Sequence, residues 1–477
     1  MAKVLVIGAG FAGQTAALYL GKALGRDHDI TVVNANDHFY FIPSFVWVGT
    51  GRMNPARTRF PLKPVYDRFR VRFVHGMAHT INPVARTVGI ERRGQSGNGQ
   101  LTLEYDYLLI ATGPKLNFEG TPGLGPHGGH SQSICTLPHA ESARDGYLEC
   151  VDRMTRGQRQ RLVIGTGHPG ATCQGAAFEY ISNLHKDLVA RGIRDKADLH
   201  WISNERELGD FGIRGIRMPV KARGESSADF MGAAFKDFGI TWEVQKGVTG
   251  VEAGKAHWED FDGNEGETAF DFAMLIPQFQ GQRMAVEGGE GLAEQIFNPA
   301  GFVKVDGIYG LPFPELERTP EAWPAVYRNP TFPEIFAAGI AFAPPGPISV
   351  PHTNPRGTAI SAAPPRTGMV AGIIGRVCAL NIIDLVRTGK ATHQERMTEM
   401  AAACIASMGD SLWDGSAATI MIYPVVPNYK AYPTEDGRDP FVTHLEMGLA
   451  GAWMKRMIHS TFMHKLQGRV GWQFIPE

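Results

Sequence analysis

Several absences narrow the chemistry of this 477-residue chain first. It has no CxxC pair, which argues against a thioredoxin motif or a zinc ribbon. Its five cysteines, Cys135, Cys150, Cys173, Cys378 and Cys404, are an odd number, which suits a reactive set better than a disulfide framework. Neither sign of charge dominates, since the formal net charge is −1, and nothing global points to nucleic acid. No apolar run reaches the roughly 18 residues of a membrane-spanning helix. The chain enters a strand at Lys3–Ile7 without a charged segment and apolar core before it, so no export signal is expected. What is abundant is glycine, 57 residues, and proline, 31, which indicate tight turns and long ordered loops. The length calls for about two or three domains.

The first glycine turn is Gly8-Ala9-Gly10-Phe11-Ala12-Gly13, between the strand Lys3–Ile7 and a segment of helical spacing. Gly8 permits the tight turn, Gly10 lets a phosphate approach the backbone, and Gly13 lets helix pack on strand. The next strand, Ile30 to Asn34, ends where a ribose-binding acid is expected; Asn34 stands there, with Asn36 and Asp37 beyond. A second turn, Gly165-Thr166-Gly167-His168-Pro169-Gly170, follows the apolar run Leu162–Ile164. Here His168 and Pro169 crowd the loop, and Cys173 opens the helix that follows. A helix start favours a thiolate as it favours a phosphate, so a lowered pKa is expected for Cys173. The strand after this turn ends near Glu205, which leaves a dinucleotide ribose contact open. A small buried hydrophobe is the competing reading of Cys173.

Further segments extend the pattern. Tyr105–Pro114 is a strand closing in Ala111-Thr112-Gly113, similar to the turn that lies against FAD in flavoproteins with two dinucleotide domains. Ile335–Ile340 resembles their closing FAD strand, although Ile340 replaces the usual acid after Gly339. The two glycine turns then form an internal duplication in an α/β fold of two Rossmann-like domains. The FAD-binding domain is expected over 1–118 and 295–392, the second domain over 119–294, and a C-terminal region over 393–477.

The cysteine contexts decide the family resemblance: Ser133-Ile134-Cys135-Thr136, Ala171-Thr172-Cys173-Gln174 and Ala403-Cys404-Ile405-Ala406. With Asn34–Asp37, Phe39–Ser44, Ala111–Leu116 and Pro365–Gly368, they resemble sulfide:quinone oxidoreductases of the bacterial three-cysteine type almost end to end. Cys150 and Cys378 match nothing in that pattern. Two departures stand out: Phe45-Val46 replaces an Asn-Pro, and Asp210 replaces a functional histidine.

The resemblance implies FAD held by Gly8, Gly10, Gly13, Asn34, Asn36, Pro43, Ala111, Thr112, Gly113, Gly339, Arg366, Thr367 and Gly368. It implies that Cys173 and Cys404 form a direct or sulfur-extended bridge that HS⁻ attacks, with Cys404 nearer the flavin and Cys135 as an accessory thiol. His139, four residues after Cys135, would share its helical face and serve as a base. Glu179 lies about 240° around a helix from Cys173, so it should face the flavin or quinone side and handle protons there.

From Phe441 the spacing reads as an amphipathic helix, with Phe441, Leu445, Leu449, Trp453 and Met457 at i+4 and basic residues between. Such a helix packs on the body or lies in a membrane interface. The resemblance implies a monotopic membrane protein at the periplasmic face. It would reduce ubiquinone or menaquinone with Trp453 and Phe462 at the quinone, and a homo-oligomer stays open. The Pro-rich stretch 341–365, with His352, Asn354 and Arg356, reads either as a pocket cover or as a surface excursion. Rival readings are an NADH:quinone oxidoreductase, a cytochrome-linked sulfide dehydrogenase flavoprotein and a flavin-containing persulfide sensor.

Overall fold

The computed structural model describes residues 1–94, 99–218, 226–365, 367–409, 411, 413 and 415–477. Two parallel sheets carry the two glycine turns. In the first, Lys3–Ile7 lies between Asp29–Asn34 and Tyr107–Ile110, with Ile335–Ala337 at one edge and Arg72–Asn82 beyond the other side. Val4, Leu5 and Val6 are all buried, as expected of a parallel strand covered on both faces. In the second, Gln160–Thr166 lies between Ala197–Ile202 and Phe272–Ile276, and Ile240–Glu243 completes four parallel strands.

The helix Phe11–Leu24 packs along Gly368–Thr388. The latter is long and apolar enough to cross a membrane. Its Gly375, however, sits where a Cβ would meet the Ala12 carbonyl oxygen at 2.3 Å. That close approach makes it a core helix of the first domain, with an apolar face turned to protein.

The C-terminal region departs from expectation. A three-stranded antiparallel sheet, Ala402–Met408, Ser416–Ile422 and His444–Gly448, precedes one helix, Leu449–Leu466. The helical reading from Phe441 therefore begins too early. Leu445 faces inward opposite Ile420 while Glu446 is exposed, which is the alternation of a strand. Cys404 lies on the first strand of this sheet, paired with Ile420 on the second.

Candidate active site

The first glycine turn has the shape its sequence calls for. Gly8 has φ +100°, and a Cβ there would lie 2.2 Å from the Ala111 carbonyl oxygen. A Cβ on Gly13 would lie 1.9 Å from the Gly8 carbonyl oxygen, whereas one on Gly10 would meet nothing within 4 Å. Gly10 is the open position, beside the N-terminus of Phe11–Leu24. Asn34 Oδ1 accepts from the Ala9 N–H at 2.9 Å, and its Nδ2 donates to the Asn36 carbonyl, so this amide fastens the turn to the second strand. Asn36 itself is exposed.

Among the remaining candidate cofactor residues, Gly339 and Gly368 adjoin the helix after this turn. Gly113 has φ +72° and open space beside it. Gly339 abuts Ala12, and Gly368 abuts Phe11. Thr367 caps the second core helix, its Oγ1 accepting from the Val370 N–H. Pro43 lies in the short turn Ile42–Ser44, whose Ser44 Oγ is 2.8 Å from His459 Nδ1. Arg366 lies outside the described residues. Two helix N-termini and an open glycine fit a pyrophosphate-bearing cofactor. We expect Gly10→Ala to fold with an unchanged melting temperature but a lower flavin-to-protein absorbance ratio. Gly13→Ala should melt earlier, by roughly 1–3 kcal/mol of overpacking.

The second turn is closed. A Cβ on Gly167, the counterpart of Gly10, would meet Leu124 Cδ1 at 2.5 Å. The Pro-rich stretch covers the rest. Ser361 N–H donates to the Pro169 carbonyl and Ala363 N–H to the Ala171 carbonyl, while Asn204 Nδ2 donates to the carbonyls of Pro169, Ala171 and Ser361. His352 stacks on Phe261 at 4.0 Å, and Asn354 and Arg356 hold the small antiparallel sheet through Glu259 and Glu265. The stretch is thus a strap over the second glycine turn. Glu205, open to a ribose in the sequence, is fully buried instead and accepts from Ser203 Oγ and the Phe211 N–H. Burial first, then the nearby Asp210, pushes its carboxyl up to about 8. Asp210 is also buried, takes the Ser349 hydroxyl of the strap, and has a raised pKa for the same leading reason.

Cys173 and Cys404, 231 positions apart by their numbers, are brought together beside the helix Gln174–Ala190. Cys404 Sγ lies 3.4 Å from the place of a Gly175 Cβ, and the Cys173 thiol raises the pKa of Cys404. Cys135 perturbs Cys173 as well, so three thiols share one neighbourhood. All are free. Cys173 is the N-cap of its helix and stands in the left-handed region, φ 72°, a conformation that costs a non-glycine residue roughly 1–2 kcal/mol.

The expectation of a low thiol pKa is corrected. Burial pushes Cys173 and Cys404 up to about 12 and Cys135 up to about 11. Loss of water around the sulfur outweighs the helix start and, at Cys404, the lowering by Lys455.

His139 is corrected too. The helix starts at Leu137, so Cys135 precedes it, and Thr136 is the cap whose Oγ1 accepts from the His139 N–H. The His139 ring lies 5.4 Å from Phe118 and 5.2 Å from His127, and its Nδ1 is buried without a partner among the described residues. Burial and the neighbouring His127 lower its pKa to about 4, so the imidazole is neutral near pH 7.

Glu179 is buried and accepts from the Ser407 N–H at 3.0 Å, the Ser407 hydroxyl at 2.5 Å and Lys455 Nζ at 2.9 Å. Asn183 adds a bond to the Ser407 carbonyl at 2.6 Å. These contacts tie the helix after Cys173 to the strand carrying Cys404 and set the separation of the two sulfurs. Lys455, on the C-terminal helix, was legible only as one of several basic residues, and Ser407 gave no signal of its own. Trp453 and Phe462 are nine positions apart on one helix, so they lie about 180° apart and cannot flank one ring. Phe462 shares the inward face with Lys455; Trp453 is 51% exposed.

A family model of pyridine nucleotide-disulphide oxidoreductases matches residues 2–307. A sulfide-quinone reductase of Aquifex aeolicus is 31% identical over 438 residues, 92% of this chain and 87% of that protein. The chain belongs to the sulfide-quinone reductase family. The X-ray structure of the sulfide:quinone oxidoreductase from Aquifex aeolicus matches with a TM-score of 0.77 at 29% identity, covering 98% of this chain and 92% of that one. NDH2 from Plasmodium falciparum, 11% identical with a TM-score of 0.64 over 99% of this chain and 97% of its own, shares the fold. The reductase is an FAD-dependent oxidoreductase acting on sulfide and quinone.

Proposed function

We propose that sulfide is oxidised at Cys173 and Cys404 and that its electrons pass to quinone beneath the C-terminal helix. HS⁻ attacks one sulfur of a Cys173–Cys404 bridge; the S–S bond breaks, leaving a persulfide on one cysteine and a thiolate on the other. FAD, when bound in the cradle of Gly8–Gly13, Ala111–Gly113 and Gly339, supplies the two-electron acceptor between this thiolate and quinone. A Cys135 thiolate attacks the outer sulfur of the persulfide, takes it up, and releases the original cysteine as thiolate. Loss of two electrons from the two thiolates to that acceptor re-forms the bridge, and repeated attack lengthens the sulfur chain until polysulfide or sulfur leaves.

Lys455 holds positive charge beside Cys404 and Glu179, which favours the thiolate formed in each round. Glu179 and Lys455 carry protons toward quinone, with Phe462 against the quinone ring. The observation that carries this reading is the approach of Cys404 to the first turn after Cys173.

The membrane assignment rests on an exposed apolar cluster. Trp413 is 88% exposed, Trp453 51% and Met457 58%. Gly415 adjoins Ala452, so the hairpin bearing Trp413 meets the first turn of the C-terminal helix. Such a patch suits a peripheral protein lying in the bilayer interface; the family resemblance favours the periplasmic face. In anaerobic stopped flow, sulfide should bleach the flavin and a soluble quinone analogue should restore it, while NADH should do nothing. Bleaching by NADH alone would replace this reading with an NADH:quinone oxidoreductase. Sulfide binding without quinone turnover would replace it with a sensor.

A further inference from the structure

A crevice separates the C-terminal helix from the segment after Trp47. Its volume is about 90 Å³, and Trp47, Arg52, Met53, Arg57, Arg456, His459 and Ser460 line it. All of these side chains except Met53 can donate a hydrogen bond, and three carry a permanent positive charge. Trp47 is 3% exposed, and its indole Nε1, a donor only, is buried without a partner among the described residues. His459 Nδ1 is already engaged with Ser44 Oγ. Burial, then Arg57, Lys455 and Arg456, hold the His459 pKa below its usual value, which reports a positive field in the crevice. Arg52 also bonds Asp187, and Arg57 has no carboxylate partner among the described residues.

A cationic lining rich in donors favours an anion made of acceptors. A volume of about 90 Å³ is large enough for a phosphate group. Its place narrows the source. Arg456 and Ser460 lie on the helix beside Trp453 and Met457, the exposed residues assigned above to the bilayer interface. We infer that the crevice binds the phosphate of an anionic phospholipid while Trp413, Trp453 and Met457 enter the surrounding headgroup layer. Guanidinium groups recognise phosphate oxygens through paired, charge-assisted bonds, and a basic group at an anionic surface adds attraction that salt weakens.

This inference rests on the membrane reading above, and its test separates the two. The FAD-loaded protein is floated with vesicles of phosphatidylcholine, or of phosphatidylcholine doped with phosphatidylglycerol. Binding to the doped vesicles should be roughly fivefold to tenfold tighter, the effect of one or two basic contacts. Arg57→Glu and Ser460→Glu, both at exposed positions, should abolish that preference while keeping phosphatidylcholine binding and sulfide turnover with a soluble quinone analogue. Arg318→Glu, an equal charge reversal elsewhere on the surface, should keep it. Equal binding to both vesicles would overturn the phosphate site and leave the membrane reading standing. Binding to neither would remove both. A preference that survives Arg57→Glu and Ser460→Glu, or that Arg318→Glu lowers as much, would mean diffuse attraction without a site.

Discussion

Cys173→Ser and Cys404→Ser should each lose sulfide-dependent flavin reduction by on the order of a thousandfold or more, since the mechanism uses the two sulfurs as a unit. A serine oxygen cannot form the bridge or carry the added sulfur, and its hydroxyl ionises far less readily than a thiol. FAD content should stay unchanged in both, because the cradle around Gly10 draws on neither residue. Cys135→Ser should be slower than wild type but less impaired than either. The readings are single-turnover bleaching with excess sulfide and flavin absorbance per chain. Near-normal bleaching in either single mutant would sink the sulfur relay. The raised pKa values sharpen the test. The reduced thiols at 173 and 404 should react slowly with iodoacetamide at pH 8, where almost all remain protonated.

Lys455→Met should cost about 3–5 kcal/mol in stability, because it strands the Glu179 carboxylate in the interior. Both side chains are almost entirely shielded from water, at 7% and 6% exposure, so solvent screening offers little relief. Glu179→Gln on top of Lys455→Met should recover most of the loss, since a neutral amide can still accept from Ser407. Chemical denaturation of the single and double mutants measures this directly. A Lys455→Met protein as stable as wild type would show that the pair contributes little. The same mutant should reoxidise slowly with a quinone analogue, while its first sulfide half-reaction is less affected.

Much of the fold could be read along the chain because local rules govern it. The roles of Gly8, Gly10 and Gly13 follow from backbone sterics within a few residues, and each position has the open or crowded surroundings those roles require. The cysteine contexts were visible as short strings. What could not be read depended on contacts across long separations. The occlusion of the second turn needs Ser361 and Ala363 to reach back to Pro169 and Ala171. Thiol ionisation depends on burial, which no local string reports. The spacing of the C-terminal helix left open whether its apolar stripe meets the protein body or a membrane interface. Its buried side is built from Gly451, Ala452 and Lys455, two small residues and a charge, because the helix packs closely on the strand Ser416–Ile422. The large apolar residues Trp453 and Met457 therefore point away.

The ion pair between Lys455 and Glu179 joins two environments that the chemistry keeps apart. On the membrane reading proposed above, the helix that would offer tryptophan to lipid also sets one wall of the chamber where sulfide would react, through a single ammonium group. Any tilt or lift of that helix must move the cation relative to Cys404 and loosen the grip on Ser407. Were that helix to lie in a bilayer, attachment and readiness for sulfur chemistry would be mechanically coupled, and a detergent micelle that lets the helix shift would retune the thiols without touching them.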